Sequence, residues 1–287
     1  NEGLTEYTAG IAVEEMDGPA AFVSWKANKI NNITSQTGGA VYLTDAEALN
    51  VGRIFSGRLS YNKGSMVTHM LRWVMGDTAF FQALQNYLND SNLSYGYAIT
   101  DDLVAHLEAE HGASLTEFFN DWLYNQGYPT YDVQAQNLGA GQVRITLNQT
   151  QSHPSVSFFE MPVEIRLTGS GGQIQDVVLN HTFSGQEFII PVPFTVADVQ
   201  FDPNRHIISR NSTTTLSNNS FELAESILIY PNPSDDLITI QMPTNISIEK
   251  VTFYNALGQN ILTSANQSIS TNSIASGMYL VKIETSE

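Results

Sequence analysis

Two short segments carry residue types able to do chemistry at a polar centre: Asn1-Glu2-Gly3 and, about 60 residues later, Ser60-Tyr61-Asn62-Lys63-Gly64. A carboxylate can ligate a divalent metal. A phenol, with an unperturbed pKa near 10, remains a neutral hydrogen-bond donor at pH 7. On residue type alone Glu2 reads as a helix-start glutamate and Tyr61 as an amphipathic tyrosine at a helix start. Lys63 reads as a solvated or outer helix residue, Gly64 as a close-packing position, and His69 as a core or surface histidine. Glu6, Glu14 and Glu15 read as a solvated face. A helical zinc pair needs two histidines four residues apart, and the chain contains no HExxH. His106 and His111 are five apart, so at about 100° per residue they point roughly 140° away from each other. With no cysteine, disulfides, thiol nucleophiles and thiolate metal sites are excluded.

The formal net charge of -17 repels phosphate backbones and anionic lipid headgroups, so nucleic acid is not an expected partner. No apolar run reaches the roughly 20 residues of a membrane helix. The chain opens without a start methionine or a signal peptide, and further sequence upstream is expected. Hydrophobic residues at 42% are enough for packed cores in two or three units over 287 residues.

The elements that would position the two segments are helical over the first 130 or so residues. Asp77 is a candidate N-cap for TAFFQALQNYL, and Thr100 for DDLVAHLEAEH, which Gly112 stops. Ser114 and Glu117 form a candidate capping box before Phe118, Phe119, Trp122 and Leu123, with Gly127 and Pro129 ending that helix. Near Tyr131 the period changes to two. VRITLNQT, PVEIRLTG, IQDVVLN, EFIIPVP and DVQFD predict a small antiparallel sandwich ending near Ser209. Residues 211–225 read as a polar linker. A second β unit follows, with Val251 and Phe253 on one face, Thr252 and Tyr254 on the other, and a turn at Ala256-Leu257-Gly258-Gln259.

The helical part resembles the M1 (gluzincin) family of zinc aminopeptidases. Asn1-Glu2-Gly3 and Tyr7 match that family's WLNEGxAxY segment, and Tyr61-Asn62-Lys63-Gly64 matches its Y-x-K-G segment. Downstream, Thr100-Asp101-Asp102-Leu103, Phe118 with Trp122, and Gly127 with Pro129 also match, while Met75-Gly76 replaces Leu-Gly. The resemblance covers about residues 1–210, counting the sandwich as the β domain that follows the catalytic domain. It implies that Glu2 is a zinc ligand and that the Tyr61 hydroxyl donates to the scissile carbonyl oxygen. Loss of one such donor typically costs about 10²–10³ in rate. The two zinc-binding histidines, the HExxH glutamate and the G-x-M-E-N loop that grips the substrate amine would lie upstream. One zinc, peptide substrates and the upstream half of the catalytic domain are the implied cofactor and partners. The isolated chain is then expected to be inactive, since one carboxylate does not hold zinc.

The last 62 residues resemble the C-terminal sorting domain of the type IX secretion system of Bacteroidetes. Tyr230-Pro231-Asn232-Pro233, DLITIQM, FYNALGQNI and Gly277-Met278-Tyr279-Leu280-Val281-Lys282-Ile283 carry that likeness. It implies export machinery as a partner and a secreted or cell-surface protein. The expected fold is multidomain α + β: a helical half of a gluzincin catalytic domain (1–130), a β-sandwich (131–210), the polar linker (211–225) and a sorting-domain β-sandwich (226–287). The alternative is a non-catalytic surface or binding protein that keeps the M1-like scaffold. Carbohydrate binding through Phe158, Phe159 or Tyr254 is a third possibility.

Overall fold

The computed structural model describes residues 1–139, 141–218, 227–242 and 246–286. The chain divides into two compact units, Asn1–Ser217 and Asn218–Glu287.

In the first unit, helices α1 (Glu2–Asp17) and α2 (Pro19–Ile33) form an antiparallel pair turned at Gly18. Gly18 takes φ +88 and proline occupies the first helical position after it, where its missing N–H is not needed. After a loop and the short α3 (Val51–Ile54), a wide-turned π-helical segment, Gly57–Lys63, runs without a break into α4 (Gly64–Met75). Helices α5 (Asp77–Asn89) and α6 (Thr100–His111) follow, then α7 (Thr116–Phe119), which continues as a second π-helical turn, Asn120–Tyr124.

The caps differ by a residue from the sequence reading. Gly76 precedes α5, and the Asp77 carboxylate accepts from Arg72 instead of capping. Ile99 precedes α6, and its N–H donates to Asp102 Oδ2 at 2.8 Å. The Leu115 N–H is taken by Glu108 Oε1 (2.6 Å), so Glu108, not Glu117, closes that helix start. Gly112 is left-handed, as a helix stop requires.

Seven strands complete this unit: β1 (Pro129–Gly139), β2 (Gln142–Gln151), β3 (Met161–Gly169), β4 (Ile174–His181), β5 (Gln186–Pro191), β6 (Val196–Phe201) and β7 (Thr213–Asn218). They form two sheets, ordered β5-β2-β1-β7 and β4-β3-β6. Period-two burial explains the register. Val133 faces Leu147 and Ala135 faces Ile145 across β1 and β2, and all four are buried. The polar stretch 211–225 is not wholly a linker. Thr213–Asn218 is a strand hydrogen-bonded beside β1 at the sheet edge, with Thr213, Thr214 and Thr215 exposed and Leu216 packed against the core; residues 219–226 lie outside the described residues. One apolar core runs from the helices into the sandwich, joined where Trp122 packs on Phe159 at 4.4 Å between ring centroids. Phe159 is therefore core and not a glycan platform.

The second unit has two three-stranded sheets. Strands β8 (Leu228–Tyr230), β9 (Leu237–Gln241) and β12 (Ser268–Ser270) form one, with β9 central. Strands β10 (Ile248–Tyr254), β11 (Asn260–Ser264) and β13 (Leu280–Thr285) form the other, with β10 central. Its buried core is Ile238, Ile240, Val251, Phe253 and Ile269. Thr252, expected on an outer face, is buried as well. The turn at 256–259 is built by Asn255, whose Oδ1 accepts from the N–H groups of Leu257 (3.0 Å) and Gln259 (2.9 Å), with Gly258 at φ +76.

Candidate active site

Glu2 lies in the first turn of α1, where the helix dipole favours a carboxylate. Tyr61 lies in the π-helical segment, whose wide turns are marked by Tyr61 N donating to Ser56 O at 3.3 Å. Wide turns of this kind recur at functional sites. Both segments meet through their glycines. A Cβ on Gly3 would stand 2.7 Å from the Gly64 carbonyl carbon, and one on Gly64 would stand 2.9 Å from Gly3 Cα. Backbone against backbone leaves no flexible atom to yield, so each motif glycine is required by the other. Glu2 immediately precedes Gly3 and Tyr61 stands three residues before Gly64. The crossing of α1 with the start of α4 thus brings together the two backbone segments that carry Glu2 and Tyr61. Both side chains are half-buried, and neither has a hydrogen bond or ion pair among the described residues.

Two cations of the Tyr61 segment, and Arg53 of the preceding α3, tie this region to backbone carbonyls, most of them in the loop after α2. Arg53 Nη2 donates to the Ala40 and Tyr42 carbonyls (2.7 and 3.0 Å). Arg58 donates to the Ile33 and Gly38 carbonyls at 3.0–3.1 Å. Lys63 Nζ donates to Gly39 O at 2.9 Å and Asn125 O at 3.4 Å. Lys63 is 1% exposed, so it is not the solvated residue its type suggests. Burial foremost, then the Arg58 and Arg53 charges, lowers its ammonium to about 7. Sequence reasoning missed this device because residues five apart diverge on an α-helix, whereas the i→i+5 turns here bring Arg58 and Lys63 toward the same side.

Deeper along α4 lies a second polar cluster, fully partnered. His69 Nδ1 is hydrogen-bonded to the Tyr7 hydroxyl at 3.2 Å, and Lys26 Nζ and His206 Nδ1 lie 3.3 and 3.1 Å from His69 Nε2. Arg72 donates to Glu14 (2.6 Å), Asp77 (2.8 Å) and the Tyr7 oxygen (3.3 Å). Trp73 stacks on His206 at 3.7 Å, and Glu164 Oε2 lies 3.7 Å from His206 Nε2. Burial first, then the charges of Lys26 and Arg72, holds His206 down to about 3. Burial, then Lys26, holds His69 well below its ordinary value. Burial lowers Lys26 to about 8.

Glu6 is ion-paired with Lys29, Glu14 with Arg72, and Glu15 is exposed. His106 lies 3.3 Å from Asp90, away from His111. Among the described residues no group of three or more His, Asp or Glu side chains is arranged to hold a metal ion. The partnerless Glu2 carboxylate fits one position of a zinc ligand set, and the remaining donors would have to come from outside this chain.

Residues 1–122 match the Peptidase family M1 domain, and residues 228–287 match the Secretion system C-terminal sorting domain. The chain is 32% identical over 139 residues to Aminopeptidase M1-B of Oryza sativa subsp. japonica, covering 45% of this chain and 15% of that one. It is 28% identical over 95 residues to Aminopeptidase N of Lactococcus lactis subsp. lactis, covering 33% of this chain and 11% of that one. The chain thus spans only a small part of these relatives. Among solved structures it is similar to Legionella pneumophila aminopeptidase A in complex with aspartic acid. That likeness has a TM-score of 0.53 at 15% identity over 75% of this chain and 23% of that one, and shows the fold. Residues 1–122 are thus similar to part of an M1 peptidase domain, and residues 228–287 to a secretion system C-terminal sorting domain.

Proposed function

We propose that this chain is the C-terminal part of an exported zinc aminopeptidase that removes N-terminal residues from peptides. Glu2 supplies one zinc ligand and Tyr61 the oxyanion donor. The observation that supports this is the Gly3–Gly64 backbone contact, which joins the segment bearing Glu2 to the segment bearing Tyr61, both half-buried and without a hydrogen bond or ion pair among the described residues. Zinc, held by Glu2 together with donors from the upstream half of the catalytic domain, would polarise the scissile carbonyl and activate water.

This chain's own contribution is positional and electrostatic. The Tyr61 hydroxyl can donate a hydrogen bond that strengthens as the carbonyl oxygen gains charge. Lys63 and Arg58 hold the turn that carries Tyr61 on the carbonyls of residues 33, 38, 39 and 125, so little rearrangement is needed when the substrate arrives. The C-terminal sorting domain directs the protein through the type IX system to the cell surface or the medium. No helix among the described residues is long and apolar enough to cross a membrane.

Aminoacyl anilide hydrolysis should be measured on this chain and on the full-length protein, each with and without chelator. Chelator-sensitive hydrolysis by the full-length protein, with none by this chain, is expected. A full-length protein that binds no zinc and cleaves no anilide would replace the peptidase reading with that of a non-catalytic scaffold.

A further inference from the structure

A polar groove of about 880 Å³ runs between α2 and the sandwich of the first unit, bordered by the loop that joins β6 to β7. In a chain of net charge -17 its walls hold Arg166, Arg205 and Arg210, three of only 12 Lys and Arg residues. Asp198 also lines it, at 3.4 Å from Gln200 Nε2.

The guanidinium groups keep donors in reserve. Arg205 has no side-chain hydrogen bond or ion pair among the described residues. Arg210 gives Nη1 to the Thr34 carbonyl at 2.6 Å and has its other N–H groups left over. Arg166 gives Nε and Nη2 to Asp176 (2.7 and 2.8 Å), leaving Nη1. Asn31 and Ser209 add neutral polar groups to the lining.

The bordering loop is held in an unusual shape. Asp202, Arg205 and Asn211 all have positive φ, at +42, +58 and +54. Buried Asp202 fixes it by accepting from the N–H groups of His206 (2.7 Å) and Ile207 (2.9 Å). Left-handed backbone at residues other than glycine costs free energy and persists where surrounding structure enforces it, commonly at binding sites.

We propose that this groove binds an oxyanion, the phosphate or sulfate group of a small ester. Planar guanidinium forks complement tetrahedral oxyanions, and Arg205 and Arg210 are the less engaged forks of this lining, whereas Arg166 is already paired with Asp176. The site is independent of the segments bearing Glu2 and Tyr61, so the two readings stand or fall separately.

The test is calorimetric titration and thermal unfolding of this chain with sodium phosphate and, in a separate arm, sodium sulfate, against sodium chloride of equal ionic strength. Saturable binding of at least one oxyanion, with a matching rise in the unfolding midpoint, is expected. The arm with the tighter binding shows which of the two oxyanions the groove prefers. The double variant R205A/R210A should bind about tenfold more weakly or worse. R144A, whose Arg144 is on β2 beside Glu187 and outside the groove, should bind as the parent does. Arg205 is exposed and holds no partner, so R205A alone provides a second variant that does not threaten folding. Absence of saturable binding beyond chloride, or undiminished binding by R205A/R210A, would overturn the proposal.

Discussion

The two ends of α4 handle their polar groups in opposite ways. Around His69 and Arg72 the ionisable side chains close on one another: Tyr7, Lys26, Glu14, Asp77 and His206 all have partners. At the other end the main chain is fixed just as firmly, by Gly3 against Gly64 and by Arg58 and Lys63 on loop carbonyls, yet Glu2 and Tyr61 have no partner among the described residues. A polar group that has found a partner serves the fold, whereas one held in place without a partner is available to something outside the chain. Residue type does not separate the two ends, because both offer tyrosines, glutamates and cations. The hydrogen-bond inventory does.

Breaking the closed end should have the larger effect on stability. Arg72→Ala strands Glu14 and leaves Tyr7 without its donor, and should lower unfolding free energy by about 2–4 kcal/mol in urea denaturation. An equal stability for the variant would mean that the cluster is not the brace described here. Gly64→Ala drives a methyl against the Gly3 backbone and should cost about 1–3 kcal/mol. The same crossing makes Gly3→Ala similarly harmful, and the pair should be non-additive, since either change alone already separates the helices.

A smaller effect concerns pH. Lys26 and Lys63 hold their protons to about 8 and about 7 in the folded chain, because burial penalises the charged form. The unfolded chain keeps them to about 10.4. Between those limits the unfolded state binds more protons, so these two groups make the fold more stable as pH rises from about 7 toward 10. Replacing both with methionine should flatten the rise in urea midpoint between pH 7 and 9.5. A slope that survives both substitutions would place its origin elsewhere.

Much of this was legible beforehand, and the failures share a cause. The sandwich strands announced themselves by alternation, as in Val143, Ile145 and Leu147, because a two-sided sheet must bury every second side chain. Thr213–Asn218 carries no alternation to read, because this edge strand is placed by backbone pairing with β1 and by Leu216 alone. Glu2 and Tyr61 were marked by the glycines beside them, but that Gly3 and Gly64 touch each other is a fact about residues distant in the chain, which local spacing does not encode. Lys63 looked like a surface lysine because its role depends on two π-helical turns, its own and the one before Asn125. The buried histidine pair joins α4 to the loop after β6, and neither His69 nor His206 has a neighbour in sequence that signals the other.

The central claim is that the unpartnered phenol at the open end of α4 serves the reacting carbonyl. Steady-state hydrolysis of an aminoacyl anilide by the full-length protein and its Tyr61→Phe variant, with zinc content measured on both, tests it most directly. A fall in kcat of about 10²–10³ with zinc retained and KM little changed is the predicted result. A Tyr61→Phe variant that turns over at the parent's rate would contradict the claim.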